Sequence, residues 1–335
     1  MSGTSSERIL VIGPAWVGDM VMAQSLFMSL KQQRDDPLID VVAPKWSLPL
    51  LARMPEVHEG IPLPVQHKEL GLGKRRALGR ALRAHKYDQA IILPRSYKAA
   101  LVPWFARIPR RTGYRGEMRY GMINDIRRLD KRVLYRTVQR FVALGQPGDV
   151  DAAPAIPQPH LAVDSHNRQR CLEKLGLTTD KPIIAMMPGA EYGPAKRWPT
   201  DYFAELARQL VDRGKQVWVL GSHKEAPLGD AIAVSDNIVN LCGKTELVDV
   251  VDLLSLCEQA VTNDSGLMHV AAASGSSVIA IYGSSDPNYT PPLTDRAQII
   301  YQNLDCSPCF ERECPLGHTN CLNDIKPDSI LARIE

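Results

Sequence analysis

Short runs of β-branched and aliphatic residues alternate with longer amphipathic stretches along almost the whole chain, and this alternation restricts the fold more than any other feature. Runs at 9–13, 39–43, 89–93 and 111–113 are expected to be strands, with a helix over 19–31. Strands that alternate with helices build a parallel sheet covered on both faces, because each crossover must return the chain to the same end of the sheet. Between Gly145 and Pro159 the pattern stops in a stretch holding Pro147, Pro154, Pro157 and Pro159, which reads as a linker. It then restarts. Runs at 183–187, 216–220, 238–241, 260–263 and 278–282 are the next strands. Phe203, Leu206, Ala207, Leu210 and Val211 have the spacing of a helix with one apolar face, as does 247–256. The expected class is α/β, with two Rossmann-like doubly wound domains, 1–160 and 161–335, facing a central cleft at the carboxyl ends of their strands.

A length of 335 residues suits two such domains, and 44% hydrophobic with 23% charged residues excludes a disordered or fibrous chain. No apolar stretch approaches the ~20 residues that span a bilayer, and residues 1–12 lack a basic segment followed by an apolar run of signal-peptide length. The protein is therefore expected to stay in the cytoplasm. Its net charge of +3 hides an asymmetry: 1–150 has 25 basic and 13 acidic residues, whereas 151–335 has 15 and 24. Most of the excess lies in 68–140, with 20 basic against 5 acidic residues. A surface of that kind attracts phosphates, although any single residue of it is best read as solvated.

Three loops could carry chemistry. The first βα turn runs from Gly13 to Asp19 and departs from the G-x-G-x-x-G spacing of dinucleotide sites. A carboxylate at the positive end of the helix also competes with a pyrophosphate, so this turn is not expected to hold NAD, which disfavours a dehydrogenase. Asp19 reads either as a helix cap or first-turn acid, or as a general base, and spacing alone favours the cap. The second loop, Met187 to Pro199, has the small residues that let backbone N–H groups approach a phosphate, with Lys196 as a mobile point charge beside it. The third, Val261 to His269, places Asp264, Ser265 and Gly266 at a strand end and His269 one helical turn beyond Ser265. Ser265 lacks the G-x-S-x-G elbow, so a hydrolytic triad is not expected. The bland alternative is a capped helix with a packed histidine.

With these three loops, Leu101 to Pro103 and the run from Arg111 to Gly121, the chain resembles the ADP-heptose:lipopolysaccharide heptosyltransferases of glycosyltransferase family 9 over nearly its whole length. The resemblance implies a GT-B architecture with the acceptor on the first domain and the nucleotide sugar on the second. It implies inverting transfer of L-glycero-D-manno-heptose from ADP-heptose to the first heptose of the lipopolysaccharide inner core, the alternative acceptor being Kdo or another part of the inner core. Asp19 matches the catalytic base and Lys196 the lysine at the donor phosphates. Asp264, Ser265, Gly266 and His269 match the nucleotide-sugar loop, with Gly189, Ala190 and Thr245 in donor-binding regions. Lys98, Arg111, Arg115 and Arg119 are the expected acceptor contacts, Arg111 and Arg119 foremost. The basic half then faces an acidic acceptor in an anionic membrane leaflet, at the cytoplasmic face of the inner membrane. A nucleic-acid partner is not expected, because no stacking aromatics are interleaved with the charges. Fixed dipoles and a lysine neutralise a leaving diphosphate, and the second domain has no D-x-D pair, so no cofactor is required for catalysis.

Seven cysteines in a chain of this kind are expected to be reduced. Cys171, Cys242 and Cys257 read as small buried residues. Cys306, Cys309, Cys314 and Cys321 fall within sixteen residues, the first two at C-x-x-C spacing, and either hold a structural zinc or pack a loop as free thiols.

Overall fold

The structure is a computed structural model that describes residues 6–66 and 69–334. Residues 1–5 of the segment read for a leader, and Lys68 of the basic stretch, lie outside it. The chain divides into two compact units, Met1–Pro159 and His160–Glu335.

The first unit consists of β1 (Arg8–Ile12), α1 (Val17–Gln33), β2 (Leu38–Ala43), α2 (Leu48–Leu51), β3 (Val57–Pro62), α3 (Leu72–Ala81), β4 (Gln89–Ile92), α4 (Leu101–Phe105), β5 (Arg110–Tyr114), β6 (Asp125–Arg127) and α5 (Thr137–Ala143). Its six strands pair in parallel in the order β3-β2-β1-β4-β5-β6. The inner strands are continuous apolar runs because both faces are covered. Leu10, Ile12, Ala90 and Ile92 meet Leu101 and Val102 in one core. By strand alternation Ile9, Val11 and Ile91 face the other way. Helix α1 is buried along most of its length and packs beside α5. The proline-rich stretch is irregular, and Ser25 Oγ of α1 donates to Pro157 O at 2.7 Å.

The second unit consists of α6 (Ser165–Leu175), β7 (Ile183–Met187), α7 (Thr200–Asp212), β8 (Gln216–Val219), α8 (Ala226–Ile232), β9 (Ile238–Asn240), α9 (Leu247–Leu254), β10 (Gln259–Asn263), α10 (Gly266–Ala273), β11 (Ser277–Tyr282), β12 (Ala297–Tyr301), α11 (Asn320–Asn323) and α12 (Pro327–Leu331). Its parallel sheet runs β12-β11-β10-β7-β8-β9. Counted within the unit this is the same 3-2-1-4-5-6 winding as in the first. The core gathers Ile184, Met186, Phe203, Leu206 and Val261 around Trp198, whose ring meets Phe203 edge-on at 4.8 Å.

Strand order therefore reverses between β1 and β4 in one unit and between β7 and β10 in the other. Loops leaving neighbouring strands diverge there and leave room for a ligand. Both points fall on the loops singled out by sequence. Strands β3, β6 and β12, all at sheet edges, carry no clear pattern in the sequence. Their residues are largely half-buried or exposed, so neither strict alternation nor an unbroken apolar run is imposed on them. Among the described residues no helix is long and apolar enough to cross a membrane.

Candidate active site

In the second unit β7 and β10 lie side by side, with Met187 opposite Thr262 at their carboxyl ends. Asn263 stitches the two emerging loops together: its Oδ1 accepts from Trp198 N at 2.9 Å and its Nδ2 donates to Pro188 O at 2.7 Å. Asp264, only 5% exposed, then accepts from Lys196 Nζ and from Ser285 Oγ, each at 2.5 Å. Lys196 is thus not the mobile charge its sequence context suggests. A buried carboxylate holds it, because a desolvated anion at this depth requires a partner. Its ammonium also stands 5.0 Å from the centre of the Tyr192 ring, which Arg312 approaches at 5.2 Å.

Helix α10 begins at Gly266 with Ser265 as its N-cap, and no side chain caps it. Its first-turn N–H groups lie beside Asp264 and Ser265, at the positive end of the helix. His269 is buried on the same helix, and burial pushes its imidazole pKa down to about 4, against the pull of Asp264 and assisted by Lys196. The ring is neutral at pH 7, and its Nδ1 is buried without a hydrogen-bond partner. It can offer a hydrogen bond there but no positive charge. Gly189 lies under the Glu225 carboxylate, which any Cβ at that position would overlap. Ala190 O accepts from the Arg197 guanidinium at 3.1 and 3.2 Å. Thr245, in the loop between β9 and α9, has a buried Oγ1 without a partner.

In the first unit Gly13 closes β1 by donating to Val42 O at 2.9 Å. A Cβ on it would stand 2.8 Å from Met20 Cε, so a side chain there would push the end of the Met20 side chain aside. Trp16 is the N-cap, again without a side-chain cap, and Asp19 is the third residue of the helix. Its carboxylate makes no hydrogen bond or ion pair to a described residue, and burial raises its pKa to about 6. Asp19 is thus not the N-cap but an acid of the first turn. A carboxyl group poised near neutrality and free to accept a proton has the properties of a general base.

The expected acceptor residues separate into two kinds. The Arg111 guanidinium donates to Ile108 O at 2.5 Å and Met122 O at 2.6 Å. Arg119, 3% exposed, donates to Tyr114 O at 2.6 Å and Pro94 O at 2.7 Å. Burial, with Arg95 nearby and Glu117 opposing, lowers its pKa to about 10, so it remains charged at pH 7. Both arginines are thus spent on backbone carbonyls of their own unit. Arg115 is exposed and Lys98 half-buried, and neither side chain has a partner among the described residues. Arg119→Ala is expected to destabilise this unit by about 2–4 kcal/mol, the usual order for several lost hydrogen bonds to a buried charge. Arg115→Ala should leave its thermal midpoint unchanged, and the two melting curves compared side by side check this.

The cysteine-rich segment folds back onto the loops that follow β7 and β11. Phe310 N donates to Ser284 O at 2.6 Å, Ser307 Oγ to Gly283 O at 2.6 Å, and Tyr192 OH to Phe310 O at 2.6 Å, while Arg312 O accepts from Ala195 N at 3.0 Å. Cys306, Cys309, Cys314 and Cys321 are free and half-buried. Among the described residues no three of their sulfurs come within 4.8 Å of one another, so the closed tetrahedral set suggested by the spacing is not assembled. Asp40, Glu59 and His85 do meet that distance. Sequence reasoning missed Asn263, Ser285, Tyr192 and Arg312 as parts of this site. The one available signal was Gly283-Ser284-Ser285, small residues directly after an apolar strand.

Two doubly wound units with loops of this kind at their points of strand reversal define an α/β protein of the GT-B class. The chain belongs to glycosyltransferase family 9 (heptosyltransferase), whose model matches residues 75–320. It is similar to lipopolysaccharide heptosyltransferase 2 of Escherichia coli (strain K12), at 45% identity over 98% of this chain and 97% of that one. The solved structure of E. coli ADP-heptose LPS heptosyltransferase II superimposes with a TM-score of 0.86 at 44% identity, covering 97% of this chain and 96% of the other. Lipopolysaccharide heptosyltransferase 1 of Pseudomonas aeruginosa is a more distant match, 26% identical over 45% of this chain and 43% of its own.

Proposed function

We propose that this family 9 enzyme transfers L-glycero-D-manno-heptose from ADP-heptose to the first heptose of the lipopolysaccharide inner core, with inversion at the anomeric carbon. Asp19 accepts the proton of the acceptor hydroxyl. That oxygen forms its bond to the anomeric carbon as the bond from the anomeric carbon to the ADP oxygen breaks, and ADP leaves with the electron pair. Lys196, aligned by Asp264, and the first-turn N–H groups of α10 stabilise the charge that develops on the diphosphate. Gly189, Ala190, Thr245, Ser265 and His269 complete the donor pocket. Lys98 and Arg115 contact the acidic acceptor, and Arg111 and Arg119 shape the loops that carry them. The acceptor is lipid-anchored, which places the work of the enzyme at the cytoplasmic face of an inner membrane.

The observation that supports this chemistry most is Asp19, an unpartnered first-turn carboxyl whose pKa stands near 6. Incubation with ADP-heptose and two acceptors, one ending in Kdo and one already bearing the first heptose, tests the reading by mass spectrometry of the products. Heptose added only to the second acceptor is the expected outcome; transfer directly onto Kdo overturns it.

For the cysteine-rich segment we infer a structural role with zinc as the bound ion. Cys314 lies among the backbone N–H groups of Thr319, Leu316, Gly317 and His318, which lower its thiol pKa. Cys321, raised mainly by burial, feels the other three thiols. The donor set thus suits a thiophilic ion that would draw the four sulfurs together. Elemental analysis of protein purified without chelator is expected to give one zinc per chain, and a metal-free result assigns the thiols to loop packing.

A further inference from the structure

The outer face of the first unit carries arginines that the transfer reaction does not use. Arg76 and Arg80 lie one turn apart on α3, Arg83 lies in the 3₁₀ turn Leu82–His85 that follows, and Arg107 comes just after α4. With Leu72 they form a stripe at i, i+4, i+8 and i+11 along the first two elements. Gly79 brings α3 directly onto α4, since a Cβ there would stand 2.6 Å from both Phe105 Cβ and Val102 O. Arg83 Nε locks the pairing by donating to Phe105 O at 2.9 Å. The guanidinium groups of Arg76, Arg80 and Arg107 are therefore held close enough to Arg83 to lower its pKa, after partial desolvation.

Arg76, Arg80 and Arg107 have no ion-pair or hydrogen-bond partner among the described residues. The neighbouring acid is already taken, because Glu69 pairs with Lys74 at 2.8 Å. Like charges held together without counter-ions are an unfavourable arrangement that an anionic surface relieves. Set among them are large apolar side chains: Leu70 and Leu72, each 51% exposed, and Trp104, 45% exposed and three residues before Arg107. A nucleic acid would satisfy the guanidinium groups but would leave the leucines in water. A lipid headgroup layer accepts both, with arginines on the phosphates and Trp and Leu at the acyl boundary.

We propose that the α3–α4 face, through Arg76, Arg80, Arg83 and Arg107 with Leu72 and Trp104 among them, docks the enzyme on the anionic surface of a phospholipid bilayer. The proposal rests on the reading above that the acceptor is lipid-anchored. It is tested by co-sedimentation with vesicles of phosphatidylcholine alone and of phosphatidylcholine with phosphatidylglycerol. The full-length protein is expected to sediment with the anionic vesicles only, and less so as salt rises. Arg76→Gln/Arg80→Gln/Arg107→Gln should weaken that partitioning by about 100-fold, from roughly fivefold per arginine, and Trp104→Ser by several-fold. Arg83 is left in place because it bonds the backbone. Both variants should melt like the parent and turn over a water-soluble, delipidated acceptor at the parental rate. The assignment is overturned if the parent ignores anionic vesicles, binds neutral ones equally well, or is matched on anionic vesicles by the triple variant. Vesicle binding that follows this pattern without any transfer to the soluble acceptor would uphold the docking surface and reject the transferase reading, so the two failures are distinguishable.

Discussion

Replacing Asp19 by asparagine is expected to slow heptose transfer by about 10²- to 10⁴-fold, the usual contribution of a general base, while making the first unit more stable above pH 6. The two effects have one cause. Burial raises the carboxyl from 3.8 to about 6, so the folded protein holds that proton more tightly than the unfolded chain does. Between those values the folded state binds more protons, and stability falls as pH rises through the window. Below about pH 4 both states are protonated and nothing is lost; above 6 the full penalty for a desolvated charge applies. A shift of this size corresponds to roughly 3 kcal/mol, and water reaching the half-buried group reduces it to about 1–2 kcal/mol. Asparagine keeps the shape and carries no charge, so it escapes that penalty.

Denaturation of the parent and the Asp19→Asn variant at pH 4 and pH 8 reads the effect directly, with coincidence expected at the lower pH and a more stable variant at the higher. In kinetics, the parent's kcat/KM should show an acid limb near pH 6, and the variant's residual activity should lack it. Equal turnover in the two proteins would reduce Asp19 to an ordinary first-turn acid. A loss of activity accompanied by lower stability at pH 8 would indicate damage to α1 instead of removal of a base.

Much of this site is legible in the sequence because anion-binding loops are built locally. Gly13, Gly189 and Gly266 lie where strand gives way to helix, and the apolar runs before them fix where those strands end. What local pattern cannot convey is which side chains meet across the fold. Lys196 and Asp264 are 68 residues apart, and each alone suggests a ligand contact, whereas together they form an ion pair. Arg111 and Arg119 are expected as acceptor contacts because they lie within the run that resembles family 9. They turn inward instead, onto the carbonyls of Ile108, Met122, Pro94 and Tyr114. Asp19 is the reverse case: its position in the helix suggests a cap, and only its burial without a partner supports the proposed role as a base. Returning segments are equally invisible to periodicity, as the contacts of residues 307–312 with the loops after β7 and β11 demonstrate.

The same ion pair supports the second large effect. Lys196→Ala removes the cation 2.5 Å from a carboxylate that is 5% exposed, leaving Asp264 with the Ser285 hydroxyl as its remaining side-chain donor. Breaking a buried pair from one side costs about 3–5 kcal/mol, because the surviving charge stays desolvated. The lysine is 16% exposed, so some water can reach the abandoned carboxylate, and about 2–4 kcal/mol is expected here. Turnover should fall by about 10²- to 10³-fold, the order seen when one group that stabilises developing oxyanion charge is removed. These losses separate in the double variant. Lys196→Ala/Asp264→Ala no longer strands a charge, so its loss of stability should be smaller than the sum of the single losses by at least about 1 kcal/mol. Its activity should recover nothing, since the charge proposed to meet the diphosphate is still missing. A calorimetric cycle over the four proteins, paired with ADP titration and single-turnover transfer on each, distinguishes the cases. If both stability and activity return in the double variant, Lys196 serves only to neutralise Asp264. If neither stability loss nor coupling is seen, the pair is open to water in solution and Lys196 is free to follow the phosphates by itself.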